Sequence, residues 1–498
     1  MKYLLGIDIG TTSVKVVLIS DRGEILAEAS REHDLLTPEP GWAEECAFTW
    51  WENTQAAVQE IAGLRPREMG QLAGVGVSGM VPAIVLLDAD FQVLRNSIQQ
   101  NDARAEDQLD RVMAALDQEE LYARTGGYSN LQHVLPRILW VKEQEPEIWG
   151  RVRYVMGSYD YINYKLTGAC RVEINWAAES GLYDIRTGEW ITDYLDRFGI
   201  DPAILPVVAP STEIIGETVG TSGFGLPEGI PVIGGSADHV ASALSAGLTV
   251  EGDLLIKFGG AGDVLYCTEE IVTSPALFFD YHVVPGKYLI NGCMAASGSL
   301  VKWFTHDILG MDDLAVFREM DREAAKLPAA SEGLIVLPYF LGEKTPLFDP
   351  QARGVLFGLT LSHTRGHIFR AILESVIYGF RHHLEVLEAG GCAVEGQVIA
   401  TNGGAKSAFW CQIAADVLNR EIVAYRHHPG SALGVAFVAG MGCGVFDDWQ
   451  EIHKFLQTSE SYVPNPANVA IYARAYPIYR GLYGQLRPSF GDLKGLYG

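Results

Sequence analysis

Apolar and β-branched residues crowd positions 3–9 and 14–20, and the two runs are joined by Gly10-Thr11-Thr12. A third run at 24–29 follows the turn Asp21-Arg22-Gly23, so the pattern predicts a three-stranded meander. The period then lengthens to that of a helix over 48–64. Strands are expected at 72–78 and 83–87, and helices near 104–116 and 136–142. Residues 206–230 are rich in Pro, Gly, Ser and Thr and read as surface turns before a buried strand at 230–233. From Asp253 the opening pattern returns: a strand at 254–258, the turn Gly259-Gly260-Ala261-Gly262, and a strand at 263–267. Ile368, Ile372, Val376, Phe380 and Leu384 recur every fourth residue, predicting a long helix over 365–389 that Gly390-Gly391 stops. A strand at 397–401 then feeds Gly403-Gly404 and a helix at 407–418. The expected architecture is α/β: two hairpin-led halves, 1–247 and 248–498, facing each other across a central cleft.

Length agrees with two domains, because single cores stop growing at roughly 250–300 residues and the chain has 498. Its 48 % hydrophobic and 20 % charged residues are those of a protein packed throughout. Charge narrows the function. The 62 acidic against 37 basic residues give a formal net charge of −25, a field that repels nucleic acid and anionic lipid. A phosphorylated ligand would then need local backbone dipoles, a few lysines and a divalent cation, which brings in Mg2+. Cys46, Cys170, Cys267, Cys293, Cys392, Cys411 and Cys443 form no close pairs, which fits buried free thiols better than zinc or disulfides. The N-terminal residues resemble no secretory leader, and no apolar run reaches the length of a membrane span. A cytoplasmic protein is expected.

Four segments carry candidate chemistry. In Asp8-Ile9-Gly10-Thr11-Thr12-Ser13-Val14-Lys15, Gly10 lets backbone amides approach a phosphate. Thr11, Thr12 and Ser13 add hydroxyls, Lys15 adds a charge, and Asp8 would face a metal. A plain hairpin turn is the simpler alternative. In Gly234-Gly235-Ser236-Ala237-Asp238-His239, Asp238 falls where a strand end meets a helix, a place suited either to a general base or to an ordinary helix cap. Gly259-Gly260 and Gly403-Gly404 each follow a predicted strand. Both can offer bare amides to a nucleotide or can simply be tight turns.

The order and spacing of these segments resemble the FGGY carbohydrate kinases of the actin-like ATPase superfamily, nearest to members of the xylulose kinase type. The family's carboxyl-half signature is matched by Gly354-Val-Leu356-Phe-Gly358-Leu359 followed by His367-Ile368-Phe-Arg-Ala371-Ile372-Leu373-Glu374. Leu337-Pro-Tyr-Phe-Leu-Gly-Glu343-Lys-Thr345-Pro346 and Gly430-Ser-Ala-Leu-Gly434-Val-Ala are similar to two further family segments. The resemblance implies two ribonuclease-H-like domains and ATP-dependent phosphorylation of a small sugar. It implies Asp238 as catalytic base, phosphate contacts from Thr11, Thr12, Ser13 and Lys15, and Asp8 at the metal. Nucleotide contacts are implied at Gly260, Gly298, Gly404 and Ala408. The sugar is expected against Gly79, Met80, Val81, Pro82, Asn101, Asp102 and His239.

Departures bear on specificity. Ser78-Gly79-Met80-Val81-Pro82-Ala83 lacks the Gln and His common in xylulose kinases, Gly260-Ala261 offers no hydroxyl, and His239 replaces the usual Asn or Gln. His239 either meets a sugar hydroxyl or caps its helix. A pentulose such as xylulose is the expected substrate. Gluconate, erythritol and glycerol are alternatives, as is a relative that binds sugar without turnover. ATP and Mg2+ are the expected cofactors, and a homodimer is allowed for. The pairs His382-His383 and His427-His428 are read as structural, because helix neighbours point to different faces. Trp50-Trp51 and Trp303 are read as packing cores or lining the cleft rim.

Overall fold

The computed structural model describes residues 1–497 apart from 221–223, 312–313, 426–427 and 429, so His427 lies outside the described residues. The chain divides into two units. The first is Met1–Thr249 with Phe279–Tyr288 and Pro429–Phe455, and the second is Val250–Phe278, Leu289–His428 and Leu456–Gly498. A single cut near residue 247 therefore leaves out two later segments that fold with the first half.

In the first unit the meander is present as β1 (Tyr3–Ile9), β2 (Ser13–Ser20) and β3 (Ile25–Glu32). β4 (Leu72–Gly79) lies parallel to β1, followed outward by β5 (Pro231–Ile233), while Ser236–Ala237 also pairs with β4. Leu4, Leu5, Ile7, Ile9, Val75 and Val77 are buried, as expected of a sheet covered on both faces. One cover is the helix Ala47–Leu64, which lies against β2 and β3. Another is Ser431–Gly442, packed on β1, β4 and the helix Asp238–Ser245. Its approach depends on missing side chains: a Cβ on Gly6 would stand 1.9 Å from the Ala432 carbonyl oxygen, and one on Gly434 2.0 Å from that of Ala241. That close packing explains why residues 429–455 belong with a sheet built from the chain's start.

The second unit repeats the plan. β6 (Leu254–Phe258) and β7 (Gly262–Thr268) form the hairpin. β8 (Val398–Thr401) runs parallel to β6, then β9 (Ile422–Tyr425) parallel to β8, with Thr458–Tyr462 antiparallel at the edge. The long helix spans Arg365–Ala389 and ends at Gly390, as its four-residue repeat predicts. The signature residues within it are scaffolding. Arg370 Nε donates to Glu374 Oε1 at 2.7 Å, and Glu374 also accepts from the Ala330 amide, Ser331 Oγ and Tyr472 Oη. Those bonds hold Ala330, Ser331 and Glu332, which all have positive φ. His383 is likewise spent on structure, with Nδ1 2.8 Å from the Gly379 carbonyl and Nε2 2.8 Å from Thr345 Oγ1. Trp50 is fully buried, as expected of a packing residue. The seven cysteines are free thiols; Cys267, Cys392 and Cys411 are buried, whereas the other four are only partly covered. No described helix is long and apolar enough to cross a membrane.

Candidate active site

In the first unit Ala237 and Ile9 each lie beside Gly79, one on either side of β4. Gly10, Met80 and Asp238 therefore follow the carboxyl ends of three neighbouring parallel strands, where open α/β sheets present their ligand-binding loops. The Asp238 side chain is 37 % exposed, and its Oδ1 accepts the His239 amide at 2.6 Å. The cap position itself is Ala237, without any side-chain cap bond. Asp238 thus does not need to be explained as a cap, and His239 does not cap the helix.

The phosphate-hairpin candidates divide in two. Thr11 and Thr12 stand exposed at the tip, where the Gly10 amide bonds the Ser13 carbonyl at 3.0 Å. Asp8 and Lys15 face each other across the hairpin. Asp8 Oδ1 accepts from Ser78 Oγ at 2.8 Å, and Lys15 Nζ lies 3.1 Å from Glu28 Oε2 on β3. The lysine in this structure is held along the sheet rather than at the tip.

The sugar-loop candidates behave differently from one another. Met80 and Val81 are buried, and the Pro82 carbonyl accepts from Arg137 Nη2 at 2.6 Å. Arg137 is fully buried and also donates to the carbonyls of Gln99, Ile98 and His133, so one guanidinium ties three loops together. That burial lowers it to about 9. Asp102 is saturated: Oδ2 accepts from the Ala43 amide and Arg104 Nη2, and Oδ1 from the Arg104 amide and Nε. Arg104 lies 3.8 Å over the Trp42 ring. With four donors already placed, Asp102 is a brace for the loop rather than a group available to a sugar hydroxyl. Asn101 beside it is exposed.

His239 sits in a cluster that the sequence did not foretell. Its Nε2 lies 3.0 Å from Asp280 Oδ2 and 3.7 Å from Glu179 Oε1, and its Nδ1 3.4 Å from Asp238 Oδ1. Burial alone would lower the imidazole, but Asp280, Asp238 and Glu179 outweigh it and raise it well above its ordinary value. Burial and the neighbouring Asp280 push Glu179 up in turn. The available signal was an aspartate inside the apolar strand Phe278–Tyr281. Arg137, within the helical run Val134–Gln144, gave no such sign.

In the second unit Gly259-Gly260 and Gly403-Gly404 follow the carboxyl ends of adjacent parallel strands, since Lys257 of β6 pairs with Thr401 of β8. The Gly260 carbonyl accepts the amides of Ser297 and Ser299 and the Ser299 hydroxyl. The Gly298 amide donates to Gly259 at 2.7 Å, so Gly298 is committed to packing the turn. Gly404 is a close-approach position, where a Cβ would meet Trp410 at 2.5 Å and Phe258 at 2.6 Å. Gly260 and Gly403 face open space, and Ala408 opens an exposed helix start capped by Ser407 Oγ. Exposed amides flanked by bare glycines beside a helix N-terminus suit an anionic nucleotide.

Two family models cover most of the chain: the N-terminal domain of the FGGY family of carbohydrate kinases over residues 3–245, and its C-terminal domain over 258–443. The chain belongs to the FGGY family of carbohydrate kinases, whose members use ATP as co-substrate. It is 32 % identical over 490 residues to the xylulose kinase of Lactococcus lactis, covering 97 % of both chains. To the gluconokinase of Bacillus licheniformis it is 26 % identical, covering 99 % of this chain and 97 % of that one. The crystal structure of xylulose kinase from Rhodospirillum rubrum superposes with a TM-score of 0.93 at 41 % identity, covering 98 % of this chain and 100 % of that one.

Proposed function

We propose that this carbohydrate kinase phosphorylates a pentulose such as xylulose, with Asp238 as general base. The observation that carries the reading is the placement of an accessible carboxylate after a strand end, across β4 from the strand that leads into the Gly10-Thr11-Thr12 hairpin. Asp238 accepts the proton from the substrate hydroxyl as its oxygen attacks the γ-phosphoryl group. The hairpin amides and the hydroxyls of Thr11, Thr12 and Ser13 orient the transferring group. The glycine turns at 259–260 and 403–404, with Ala408, hold the nucleotide. Most of the acceleration is alignment and charge neutralisation.

Mg2+ fits the donors of the first unit. Asp8 offers a carboxylate at a strand end, and Mg2+ takes one or two carboxylates plus phosphate oxygens while keeping several waters. When bound it would neutralise phosphate charge that the acidic chain does not. The sugar rests on a pocket edge supplied by Gly79-Met80-Val81-Pro82 and Asn101, with Asp102 and Arg137 bracing it. The buried, apolar Met80 and Val81 offer no side-chain hydrogen bond to a sugar, so discrimination falls to backbone groups and to the exposed Asn101.

Sugar-dependent ADP release, measured across d-xylulose, l-xylulose, ribulose, gluconate, erythritol and glycerol, tests the proposal. A pentulose should give the highest kcat/KM. Gluconate as best substrate would overturn the pentulose assignment. Tight sugar binding without ADP release from any of them would overturn the enzymatic reading.

A further inference from the structure

From the geometry around His239 we infer a second cation site, formed by Glu179, His239 and Asp280, that takes a divalent first-row transition metal. The three ligand atoms lie within 4.8 Å of one another. The separations from His239 Nε2, 3.0 Å to Asp280 and 3.7 Å to Glu179, bracket the roughly 3 to 3.6 Å between neighbouring ligands on a metal with bonds of about 2.0–2.2 Å.

A second observation comes from direction rather than distance. His239 Nε2 and Glu179 Oε1 are both buried and make no hydrogen bond among the described residues. Nε2 nevertheless has a carboxylate oxygen at 3.0 Å. An imidazole and a carboxylate that close, yet out of hydrogen-bond alignment, are oriented as groups that share a third point rather than pointing at each other. Asp280 anchors the set, with a fully buried side chain.

The chemistry selects the metal class. A site built only of carboxylate and water suits Mg2+, whereas an imidazole nitrogen shifts preference toward Mn2+, Co2+ or Zn2+. With His239 Nδ1 facing Asp238 Oδ1 at 3.4 Å and Nε2 facing Asp280, a bound metal would displace the Nε2 proton and leave the proton on Nδ1. This is the carboxylate–histidine–metal arrangement that fixes ligand orientation. Occupancy would make Nδ1–H a stronger donor to Asp238 and so tie the cation to the proposed base. The inference concerns metal binding alone and stands whether or not the substrate is a pentulose.

The test uses tag-free, full-length protein without nucleotide. Co2+ is titrated while visible absorption is followed, and Zn2+ and Mn2+ binding are measured by calorimetry. One equivalent of Co2+ per chain should bind, with the ligand-field bands of a nitrogen-containing site. H239N, E179Q and D280N should each weaken binding by more than the roughly 10- to 100-fold that loss of an outer-shell partner costs. D8N should leave Co2+ binding unchanged, separating this site from the phosphate hairpin. Circular dichroism checks that each variant is folded, and H239Q replaces H239N if that variant is not. Absence of stoichiometric Co2+ binding in the wild type, or binding unaltered in every folded cluster variant, would overturn the inference.

Discussion

The two hairpin-led units share a plan and differ in what they place on it. One pair in from the turn of each hairpin an acid and a lysine face across the strands, but in opposite order: Asp8 with Lys15 in the first unit, Lys257 with Asp263 in the second. The turns diverge further. Gly10 is followed by two threonines and a serine, whereas Gly259 is followed by Gly260, Ala261 and Gly262. After the neighbouring parallel strands the first unit carries the acidic residue Asp238, and the second offers the glycine pair Gly403-Gly404. One scaffold therefore supplies side-chain chemistry in one copy and bare backbone in the other. The difference suits a division between proton transfer and nucleotide holding.

Asp238→Asn should give the largest break in that division. The amide keeps an oxygen for the His239 N–H, so the helix start survives, while the base is lost. Single-turnover phosphorylation should fall roughly 10²- to 10⁴-fold. Equilibrium ADP binding, assigned to the second unit, should change less than about twofold on the same reasoning that the base touches only the hydroxyl proton. An equal loss in ADP affinity would mean that the two units do not divide the work this way.

A smaller effect comes from the pH dependence that the units have in common. Each buries one glutamate pushed up to about 7 by loss of solvent, Glu173 in the first and Glu343 in the second. A raised carboxylate binds protons in the folded state more tightly than in the unfolded one. Its contribution is therefore fully present below about 4.5 and is lost as pH rises through about 7, an amount of about 3 kcal/mol per group. Their surroundings distinguish the replacements. Glu343 Oε1 accepts the amides of Ala295 and Lys344, bonds a glutamine oxygen preserves, so E343Q should raise urea-melt stability at pH 8 and flatten its fall between pH 5 and 8. Glu173 accepts from Tyr159, Ser211 and both nitrogens of Asn175. A glutamine NH2 would face two of these donors, and E173Q should lower stability at pH 8. Urea titrations of both variants across pH 5–8 check the pair, and a steeper fall for E343Q would contradict the assignment.

The repeated plan was legible in the sequence because hydrophobic period and glycine turns are local signals. The helix over 365–389 and both hairpins follow from them. The strand-end position of Asp238 was legible for the same reason. What was hidden depends on residues distant in the chain. Asp280 reaches His239 only because residues 279–288 fold with the first unit, and no local pattern encodes that return. The family resemblance implied a sugar contact at Asp102, but its donors include Ala43, 59 residues away, and saturation of a carboxylate cannot be read from its neighbours in sequence. The glutamates of the signature segments, Glu343 and Glu374, likewise proved to be buried hydrogen-bond hubs.

The smallest effect tests the bare turn of the second unit. A Cβ on Gly260 would meet no atom within 4 Å, and the position carries no positive φ, so Gly260→Ala should alter stability by no more than about 0.5 kcal/mol. At Gly404 the same change would strike Trp410 and Phe258 and cost packing. Comparing the two separates a glycine kept for a ligand from one kept for the fold. If the Gly260 amides contact phosphate, the added methyl obstructs only the bound nucleotide: KM for ATP should rise severalfold, while KM for the sugar and the melting temperature stay near their wild-type values. G404A should instead lower the melting temperature first, with both KM values following. An unchanged KM for ATP in G260A would remove the second hairpin turn from the nucleotide site and leave Gly403-Gly404 as the sole glycine turn assigned to it.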